Sequence, residues 1–359
     1  MGRLLNQILK LDNLAAAWEE VVDADAGPGR DGVTLEEFAR HWEANLVEIR
    51  QAVKSGYYKP DPLQRFTIPK KDGSPRLLGN LTVRDKVLQR AALRLLDDIY
   101  EPFFLECSFA YRPKRSIHGA VEQLVLARDL GRLWVLDADI DDFFHSLDHE
   151  LLLRFLRENL TDEALLRLIR LWLDQGRPAP DRAVGTPLGA IISPLMSNIY
   201  LHYLDLVMTH TLPRWGPARA DFAGRGGEGR GRETGPSGPS WAGDSWDRSL
   251  TAPHSAGAGL PSRPPDWVYL RYADDTVVLC RSREQAEAAL ALMRDTLATL
   301  RLRLEPTKTA ITTFHQGFDY LGYTFQGYQF YFEREGKRII VDDEGSWELF
   351  YQYGPTGYE

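Results

Sequence analysis

The sequence has few cysteines, no long apolar run and fewer basic than acidic residues, and each of these features excludes a class of protein. It has two cysteines, Cys107 and Cys280, in 359 residues, which are too few for a disulfide framework. No apolar run approaches the ~20 residues that a membrane-spanning helix needs, and the first residues lack the apolar core of a signal peptide. Basic residues are outnumbered, 43 against 51 acidic ones, which gives a net charge of −8. We therefore expect a cytoplasmic protein with no membrane partner, whose main task is not coating nucleic acid.

The remaining composition is that of a globular protein, with 43% hydrophobic and 26% charged residues. It excludes a chain that is disordered or collagen-like throughout. Residues 214–265 differ from the rest, because they are crowded with Gly, Pro, Ser and Arg and lack apolar periodicity. This segment is predicted to be a disordered low-complexity insertion, and the alternative is an RNA-binding arm that uses its arginines.

Hydrophobic periodicity predicts a mixed α+β fold. Residues 86–100 and 150–173 repeat apolar side chains at helical spacing, and Ser282 followed by Gln285 predicts a capping box that opens a helix. The β-rich runs WVYLRY and DTVVLC come before and after an acidic pair, which indicates a hairpin with an acidic tip. Further strands are predicted in FDYLGYTF, YQFYFE and KRIIV.

Carboxylates stand at the ends of two predicted strands. In LWVLDADIDDFF, alternation places Asp139 on the face opposite Ala138 and Ile140, so its carboxylate can project into a cleft. The hairpin tip can offer Asp274 and Asp275 at the same point. Mg²⁺ prefers oxygen ligands, and two such ions about 4 Å apart would activate an attacking hydroxyl and stabilise a leaving pyrophosphate. The alternative for Asp139 is a cap or turn aspartate.

The order of motifs from about residue 29 to 325 resembles the reverse transcriptases, most closely those of the group II intron lineage. The blocks that carry the resemblance are, in chain order, GRDGVT, SGYYKPDP, IPKKDGSPRLLG, LTVRDKVLQ, FAYRPKRSIHGAV, DADIDDFF, GTPLGAIISPLMSNIYL, YADD, LEPTKT and FDYLGYTF. The resemblance implies an α+β fold of right-hand polymerase fingers and palm, with an antiparallel palm sheet.

The resemblance also implies a division of the chain. The segments are an N-terminal helical extension at 1–60, fingers at 61–130, a first part of the palm with fingers-palm helices at 131–213, the insertion at 214–265, a second part of the palm with the primer grip at 266–325, and a strand-rich tail at 326–359. The thumb that the family carries after the primer grip is expected to be absent or reduced, or supplied by a partner.

The catalytic residues are implied one by one. Asp139, Asp274 and Asp275 would bind two Mg²⁺ ions, with Mn²⁺ as a substitute, and the carbonyl of Ile140 would also face a metal. Lys308 would protonate the departing pyrophosphate as a general acid. The alternative for Lys308 is an ordinary surface lysine.

The nucleotide-binding residues implied by the resemblance lie in the fingers, under the sugar and in one turn. They are Lys70, Arg76, Phe144, Pro187, Leu188 and Gly189. The two cations would clamp the triphosphate, and the ring of Phe144 would exclude a 2′-hydroxyl, unless it is a plain core residue. Because Leu188 stands where the family usually has Gln, an amide donor is lost. Pro187 and Gly189 can still form the turn, so we expect altered nucleotide handling rather than inactivity.

Contacts to template and primer are implied at five further positions. Arg112 and Arg115 would contact template phosphates or stiffen the fingers, and these two roles stay open. Tyr320, Leu321 and Gly322 would form the primer grip, for which an ordinary hairpin core is the alternative.

The function implied is that of an RNA-directed DNA polymerase, which adds dNTPs to a DNA or RNA primer on an RNA template. The LEPTKTAITTFHQGFDYLG stretch and Leu188 further resemble the reverse transcriptases that accompany CRISPR adaptation proteins, which would make an integrase complex a partner. The alternatives are a group II intron-derived or other antiphage-defence reverse transcriptase, an RNA-dependent RNA polymerase, and a non-catalytic nucleic-acid-binding subunit.

Overall fold

The computed structural model describes residues 2–69, 75–179, 181–210, 266–334, 337–341 and 344–353. Helices and antiparallel strands both build it, which confirms the predicted α+β class. The predicted insertion at 214–265 lies outside the described residues. Within the part of the chain that the structure describes, no helix combines the length and the apolar character needed to cross a bilayer.

The N-terminal region is mostly helical. Its helices are α1 (Arg3–Ile8), α2 (Leu11–Asp23), α3 (Leu35–Ala39) and α4 (Trp42–Ser55). In α2 the buried side chains of Leu14, Trp18 and Val21 recur at the spacing that places them on one face. That face packs on α5 (Val83–Tyr100), the helix that the periodicity of residues 86–100 predicts.

A two-stranded hairpin comes between these helices. It consists of β1 (Gln64–Pro69) and β2 (Pro75–Asn80), paired so that Gln64 lies opposite Asn80. After α5 come a short 3₁₀ helix (Glu101–Phe103) and α6 (Ile117–Asp129). Most of β1 is exposed, so one face of this hairpin is open to solvent.

The central sheet has the strand order β4-β5-β3-β6 with antiparallel pairing throughout. Its strands are β3 (Trp134–Asp139), β4 (Val268–Tyr272), β5 (Asp275–Cys280) and β6 (Ala310–Thr313). The alternation predicted for β3 is confirmed, because Leu136 and Ala138 join one hydrophobic core while Val135 joins another. The sheet is therefore covered on both faces, and Asp139 stands half-buried at the end of its strand.

Five described helices lie between the strands of this sheet in the chain, and the last two of them pack on it. They are α7 (Phe143–Ser146), α8 (His149–Arg157), α9 (Glu163–Asp174), α10 (Ser193–Met208) and α11 (Arg283–Thr299). The leucine-rich stretch 150–173 folds as two helices, because the Asp162 carboxylate caps α9 by accepting from the backbone of Leu165. Ser282 caps α11 as predicted, but Gln285 accepts from the backbone of Arg281 instead of completing the box at Ser282.

The chain continues into a second sheet. The strands β7 (Phe318–Tyr320), β8 (Tyr323–Gln326), β9 (Gln329–Arg334) and β10 (Lys337–Val341) pair in chain order. The helix α12 (Glu344–Tyr353) follows. The tail that was expected to be strand-rich thus contains the strands β9 and β10 and also a helix that the sequence did not predict. Trp347 and Phe350 are spaced to share one helical face, and both rings lie 5.4 Å from the ring of Phe330. Covering the aromatic face of the sheet thus favours a helix here.

Candidate active site

Strand pairing brings the predicted carboxylates together at one end of the central sheet. In the antiparallel pair β3–β5, Asp139 lies directly opposite Asp275. Tyr272 pairs with Asp275 across β4–β5, so Ala273 and Asp274 form a two-residue turn. Residues directly opposite in such a pair have Cα atoms roughly 4.5–5.5 Å apart. The predicted hairpin with an acidic tip is therefore confirmed, and its tip lies beside the end of β3.

The carboxylates at this point repel one another. Burial raises the pKa of the Asp275 carboxyl well above its ordinary value, and the nearby charges of Asp137, Asp274 and Asp139 raise it further. Burial also raises the pKa of Asp137 to about 7, with contributions from Asp139 and Asp319. A cluster of this kind favours bound protons or cations, because each neutralises negative charge held close together in a partly dry site.

Lys308 faces the same cluster. Its Nζ lies 2.6 Å from Oδ2 of Asp139, and this hydrogen bond raises the pKa of the ammonium. The turn before β6 places it there, because the backbone N–H of Glu305 donates to the carbonyl of Asp139 at 2.9 Å and the backbone of Lys308 bonds to Glu305. The predicted catalytic lysine is thus brought to the predicted catalytic aspartate.

The chemistry of this cluster fits divalent cations. Carboxylate oxygens are the ligands that Mg²⁺ and Mn²⁺ prefer. Burial first, and then the neighbouring carboxylates, raise the pKa of the Asp275 carboxyl. Among the residues that the structure describes, no three Asp, Glu, His or Cys side chains converge in a ready-made metal site. The ammonium of Lys308 holds Asp139 in an ion pair instead. Ile140 follows in the chain, buried and bridged to Leu304.

Phe144 lies near the start of α7, five positions after Asp139. Its neighbour Phe143 is buried in the core, whereas Phe144 is half-buried, and the two rings meet edge to face at 5.3 Å. The carbonyl of Phe144 accepts from the backbone N–H of Thr186 at 2.7 Å. Phe144 is thus less buried than Phe143 but packs against the same hydrophobic core, so its role under the sugar stays a prediction. Its backbone is tied to the segment that carries the 187–189 turn.

The turn that contains Pro187, Leu188 and Gly189 forms despite the missing Gln. Gly189 has φ +93°, and a Cβ there would lie 2.3 Å from the carbonyl oxygen of Gly79 in β2. The carbonyl of Leu188 accepts from the N–H of Gly79 at 2.8 Å. The turn is therefore fastened to the β1–β2 hairpin through main-chain contacts, which do not depend on the side chain at Leu188.

The basic residues predicted to contact nucleotide or template differ in how much of them the structure describes. Lys70 lies outside the described residues, and Arg76 is described only as a backbone position in β2 opposite Ile68. Arg112 is buried, with its guanidinium on the Glu101 carboxylate and on the carbonyl of Ser108 at 2.7 Å. Of the two roles left open for Arg112, these contacts favour stiffening of the chain around the 3₁₀ helix.

Arg115 makes a similar local contact. It pairs with the carboxylate of Glu106 and lies 5.4 Å from the ring of Phe109. Because Arg115 is only partly buried, a role toward template phosphates stays a prediction.

The predicted primer grip is the β7–β8 hairpin. Tyr320 pairs with Tyr323, and Leu321 and Gly322 form the turn with φ +53° and +85°. Two positive φ angles match the right-handed twist of the flanking strands, which is why glycine suits the second position. The negative charge of Asp319 in β7 contributes to the raised pKa of Asp137.

Sequence reasoning missed a buried ion pair beneath the acidic hairpin. Arg271 of β4 and Asp205 of α10 are both 0% exposed, and the guanidinium lies 2.7 Å from each carboxylate oxygen. The available signal was an arginine inside the apolar strand VYLRY, together with one acid in the otherwise apolar end of α10. Charged residues in such positions are seldom buried unless they are paired.

Antiparallel strands that carry carboxylates at one end, covered by helices, are the arrangement expected of a polymerase palm. A family model described as reverse transcriptase (RNA-dependent DNA polymerase) matches residues 68–223 and 235–325. The chain belongs to this reverse transcriptase family. The predicted family and its fingers-and-palm fold are confirmed.

Its relatives include group II intron-encoded proteins. The chain is 32% identical over 339 residues to protein YkfC of Escherichia coli (strain K12), which covers 89% of this chain and 82% of YkfC. It is 33% identical over 209 residues to the group II intron-encoded protein LtrA of Lactococcus lactis subsp. cremoris, covering 56% of this chain and 34% of LtrA. A telomerase structure from Candida albicans matches with 11% identity and a TM-score of 0.47, covering 87% of this chain and 50% of the telomerase.

Proposed function

We propose that this chain is an RNA-directed DNA polymerase, which adds dNTPs to the 3′-hydroxyl of a DNA or RNA primer on an RNA template. One observation carries the proposal, namely the pairing of Asp139 opposite Asp275 with Asp274 in the adjoining turn. Membership of the reverse transcriptase family supports it. The chain spans about a third of LtrA, so the activity proposed is that of the fingers and palm alone.

Asp139, Asp274 and Asp275 would hold two Mg²⁺ ions, for which Mn²⁺ can substitute, with the carbonyl of Ile140 beside them. When bound, the cations supply Lewis acidity to the phosphates and neutralise the charge of the carboxylates. The strand pairing supports this assignment, because it places Asp139 opposite Asp275 with Asp274 in the adjoining turn. Carboxylates held this close repel one another, and bound cations would neutralise them.

Lys308 would carry a proton at Nζ to the departing pyrophosphate. Its pKa is raised while it is paired with Asp139, so the ammonium is fully charged at neutral pH. If Asp139 held a cation instead of this ammonium, Nζ of Lys308 would be available to donate its proton to the pyrophosphate oxygen that leaves.

The remaining nucleotide contacts come from the fingers, α7 and the turn. We assign the triphosphate to Lys70 and Arg76, the sugar to Phe144, and the base-side wall to Pro187, Leu188 and Gly189. The bond between Leu188 and Gly79 supports a role for the turn, because it fixes the turn against the hairpin that carries Arg76. Positioning of this kind accounts for much of the catalysis that nucleotidyl transfer requires.

The primer would be held by Tyr320, Leu321 and Gly322, and Arg115 is the remaining candidate for template phosphates. Two roles stay predictions, namely cDNA synthesis for a CRISPR integrase complex and a function in antiphage defence. The relatives support the group II intron-like lineage but do not distinguish its branches. The non-catalytic alternative is disfavoured by the carboxylate cluster, which repels phosphate unless cations neutralise it.

Primer extension tests the proposal. Wild-type protein and Asp274→Ala are incubated with a primed RNA template, Mg²⁺ and dNTPs, and product length is measured on a gel. We expect extension by the wild type and a loss of at least about 100-fold in the variant, as for removal of a group that stabilises transition-state charge. Equal extension by both proteins contradicts the assignment of this site.

A further inference from the structure

The guanidinium of Arg271 lies under the acidic hairpin with an acceptor for each of its five N–H groups. Its Nε and Nη2 each lie 2.7 Å from an oxygen of Asp205, and Nη2 also donates to Oγ of Ser108 at 2.8 Å. Its Nη1 donates to Oδ1 of Asn198 and to the carbonyl of Ala273, both at 3.0 Å. A guanidinium has five such donors in a fixed planar fork, so this environment fixes its orientation completely.

The ion pair cannot loosen without large cost. Asp205 is the acidic residue of α10, and it also accepts from the hydroxyl of Tyr269 at 3.1 Å. A buried charge that loses its partner is strongly unfavourable. The backbone of Arg271 is held as well, because its N–H donates to the carbonyl of Cys107 and its carbonyl accepts from Phe109.

The contact with Ala273 reaches the proposed catalytic residues. Ala273 has φ +57°, in the left-handed region that residues other than glycine seldom adopt. Such a backbone persists only when its surroundings hold it. The bond from Arg271 to the Ala273 carbonyl provides that hold, one residue before Asp274 and two before Asp275.

We propose that Arg271 is a positioning residue, which fixes the carboxylates of Asp274 and Asp275 through the Ala273 carbonyl. Asp205 and Asn198 couple it to α10, and Ser108 couples it to the segment before α6. This inference rests on the proposed function, because it assigns Arg271 a purpose in holding the metal-binding hairpin.

The competing account is that the cluster only joins α10 to the sheet. A purely structural cluster would change the free energy of unfolding and leave the folded enzyme's turnover intact. A positioning cluster would also change the rate of the chemical step and the Mg²⁺ concentration that gives half the maximal rate.

The test compares Arg271→Lys and Asn198→Ala with the wild type, all well below their melting temperatures. The measurements are single-turnover extension rate, Mg²⁺ dependence, primer–template affinity, and deuterium exchange of the peptide that contains Ala273. We expect extension at least about 10-fold slower, since small misplacements of reacting groups are costly, with a higher Mg²⁺ requirement, faster exchange at the hairpin and unchanged affinity.

Tyr58→Phe is the matched control. Tyr58 is buried in the segment after α4, where its hydroxyl donates to Asp85 of α5 at 2.7 Å and accepts from the indole N–H of Trp172 of α9 at 3.1 Å. The variant therefore loses a buried hydroxyl away from the Arg271 cluster. We expect a lower melting temperature with the wild-type rate, Mg²⁺ dependence and hairpin exchange.

The outcomes separate the two proposals. Wild-type rates and exchange in folded Arg271→Lys and Asn198→Ala overturn the positioning role. If Arg271→Lys does not fold, Asn198→Ala decides the question. It removes the acceptor for Arg271 and the donor to the Ala110 carbonyl, but it keeps the ion pair between Arg271 and Asp205. A wild-type protein that extends no primer overturns the proposed function, while the exchange of the hairpin still tests whether Arg271 and Asn198 hold it.

Discussion

Phe144 gives the sharpest prediction at the scale of single residues. Its ring is half-buried in α7 and its backbone is tied to Thr186. If the ring excludes a 2′-hydroxyl, Phe144→Ala should raise ribonucleotide incorporation relative to deoxynucleotide incorporation by roughly 10- to 200-fold, the range typical of a steric contact of this size. Primer extension with each nucleotide set measures the ratio.

The neighbouring ring provides the control for that prediction. Phe143 is 1% exposed and belongs to the core, so Phe143→Leu should lower the free energy of unfolding without changing the nucleotide preference. If Phe144→Ala gains no ribonucleotide incorporation, the ring is a packing residue and the assignment to the sugar is wrong.

His202 predicts how stability depends on pH. Burial lowers the pKa of this α10 imidazole to about 4, and Arg271 and Arg112 act in the same direction against Asp205. An unfolded histidine has a pKa near 6.5. Between about pH 6.5 and 4 the unfolded chain therefore binds a proton that the folded chain does not, and the folded state loses up to about 3 kcal/mol as pH falls.

Urea unfolding at several pH values measures this effect. The stability that the neutral imidazole of His202 contributes should be fully present above pH 6.5 and should be lost as the pH falls toward 4. The free energy of unfolding of His202→Asn should therefore fall less than that of the wild type between pH 6.5 and 4. Parallel curves for the two proteins would exclude His202 as the cause.

At the scale of elements, the 187–189 turn contacts β2, and under the proposed division of the chain this contact joins the palm to the fingers. Gly189→Ala places a Cβ 2.3 Å from the Gly79 carbonyl oxygen at φ +93°. We expect a loss of about 1–3 kcal/mol in the free energy of unfolding and a higher KM for dNTPs, because the fingers shift away from the turn. Thermal unfolding and steady-state extension measure the two effects.

Gly327→Ala is the matched control for this contact. Gly327 also has a positive φ, +63°, but a Cβ there meets nothing within 4 Å. Gly327→Ala should lower the free energy of unfolding through backbone strain, and it should leave the KM for dNTPs unchanged. A Gly189→Ala protein with the stability and KM of the wild type would show that the turn does not need this close approach.

The elements also show which parts of the fold follow from sequence. The palm strand β3, the acidic hairpin and α11 were predictable because alternation and helical spacing are local patterns. The helix α12 was missed, because its aromatic residues suit a strand equally well until the sheet that they cover is known.

The candidate site was predictable for a different reason. Asp139, Asp274 and Asp275 stand at the ends of recognisable strands inside a familiar order of motifs. The pair Asp205–Arg271 was not predictable, because its partners are 66 positions apart and meet only when α10 packs on the sheet. Local patterns carry no information about such a pairing.

For the whole molecule, charge is the constraint that the account must meet. The chain has a net charge of −8, and several of its carboxylates lie close together at one end of the central sheet. This site repels the phosphates of template and nucleotide unless cations are bound there. Membership of the reverse transcriptase family and the carboxylate cluster both support the proposal of a polymerase palm that depends on divalent cations.

Counting bound Mn²⁺ by electron paramagnetic resonance tests that claim most directly. The protein is titrated with Mn²⁺ in the presence of a primed RNA template and a dNTP that cannot be incorporated, and Asp139→Asn and Asp275→Asn are titrated alongside. The account predicts two Mn²⁺ ions per wild-type complex and the loss of at least one in each variant. The same number of ions in the variants as in the wild type would contradict it.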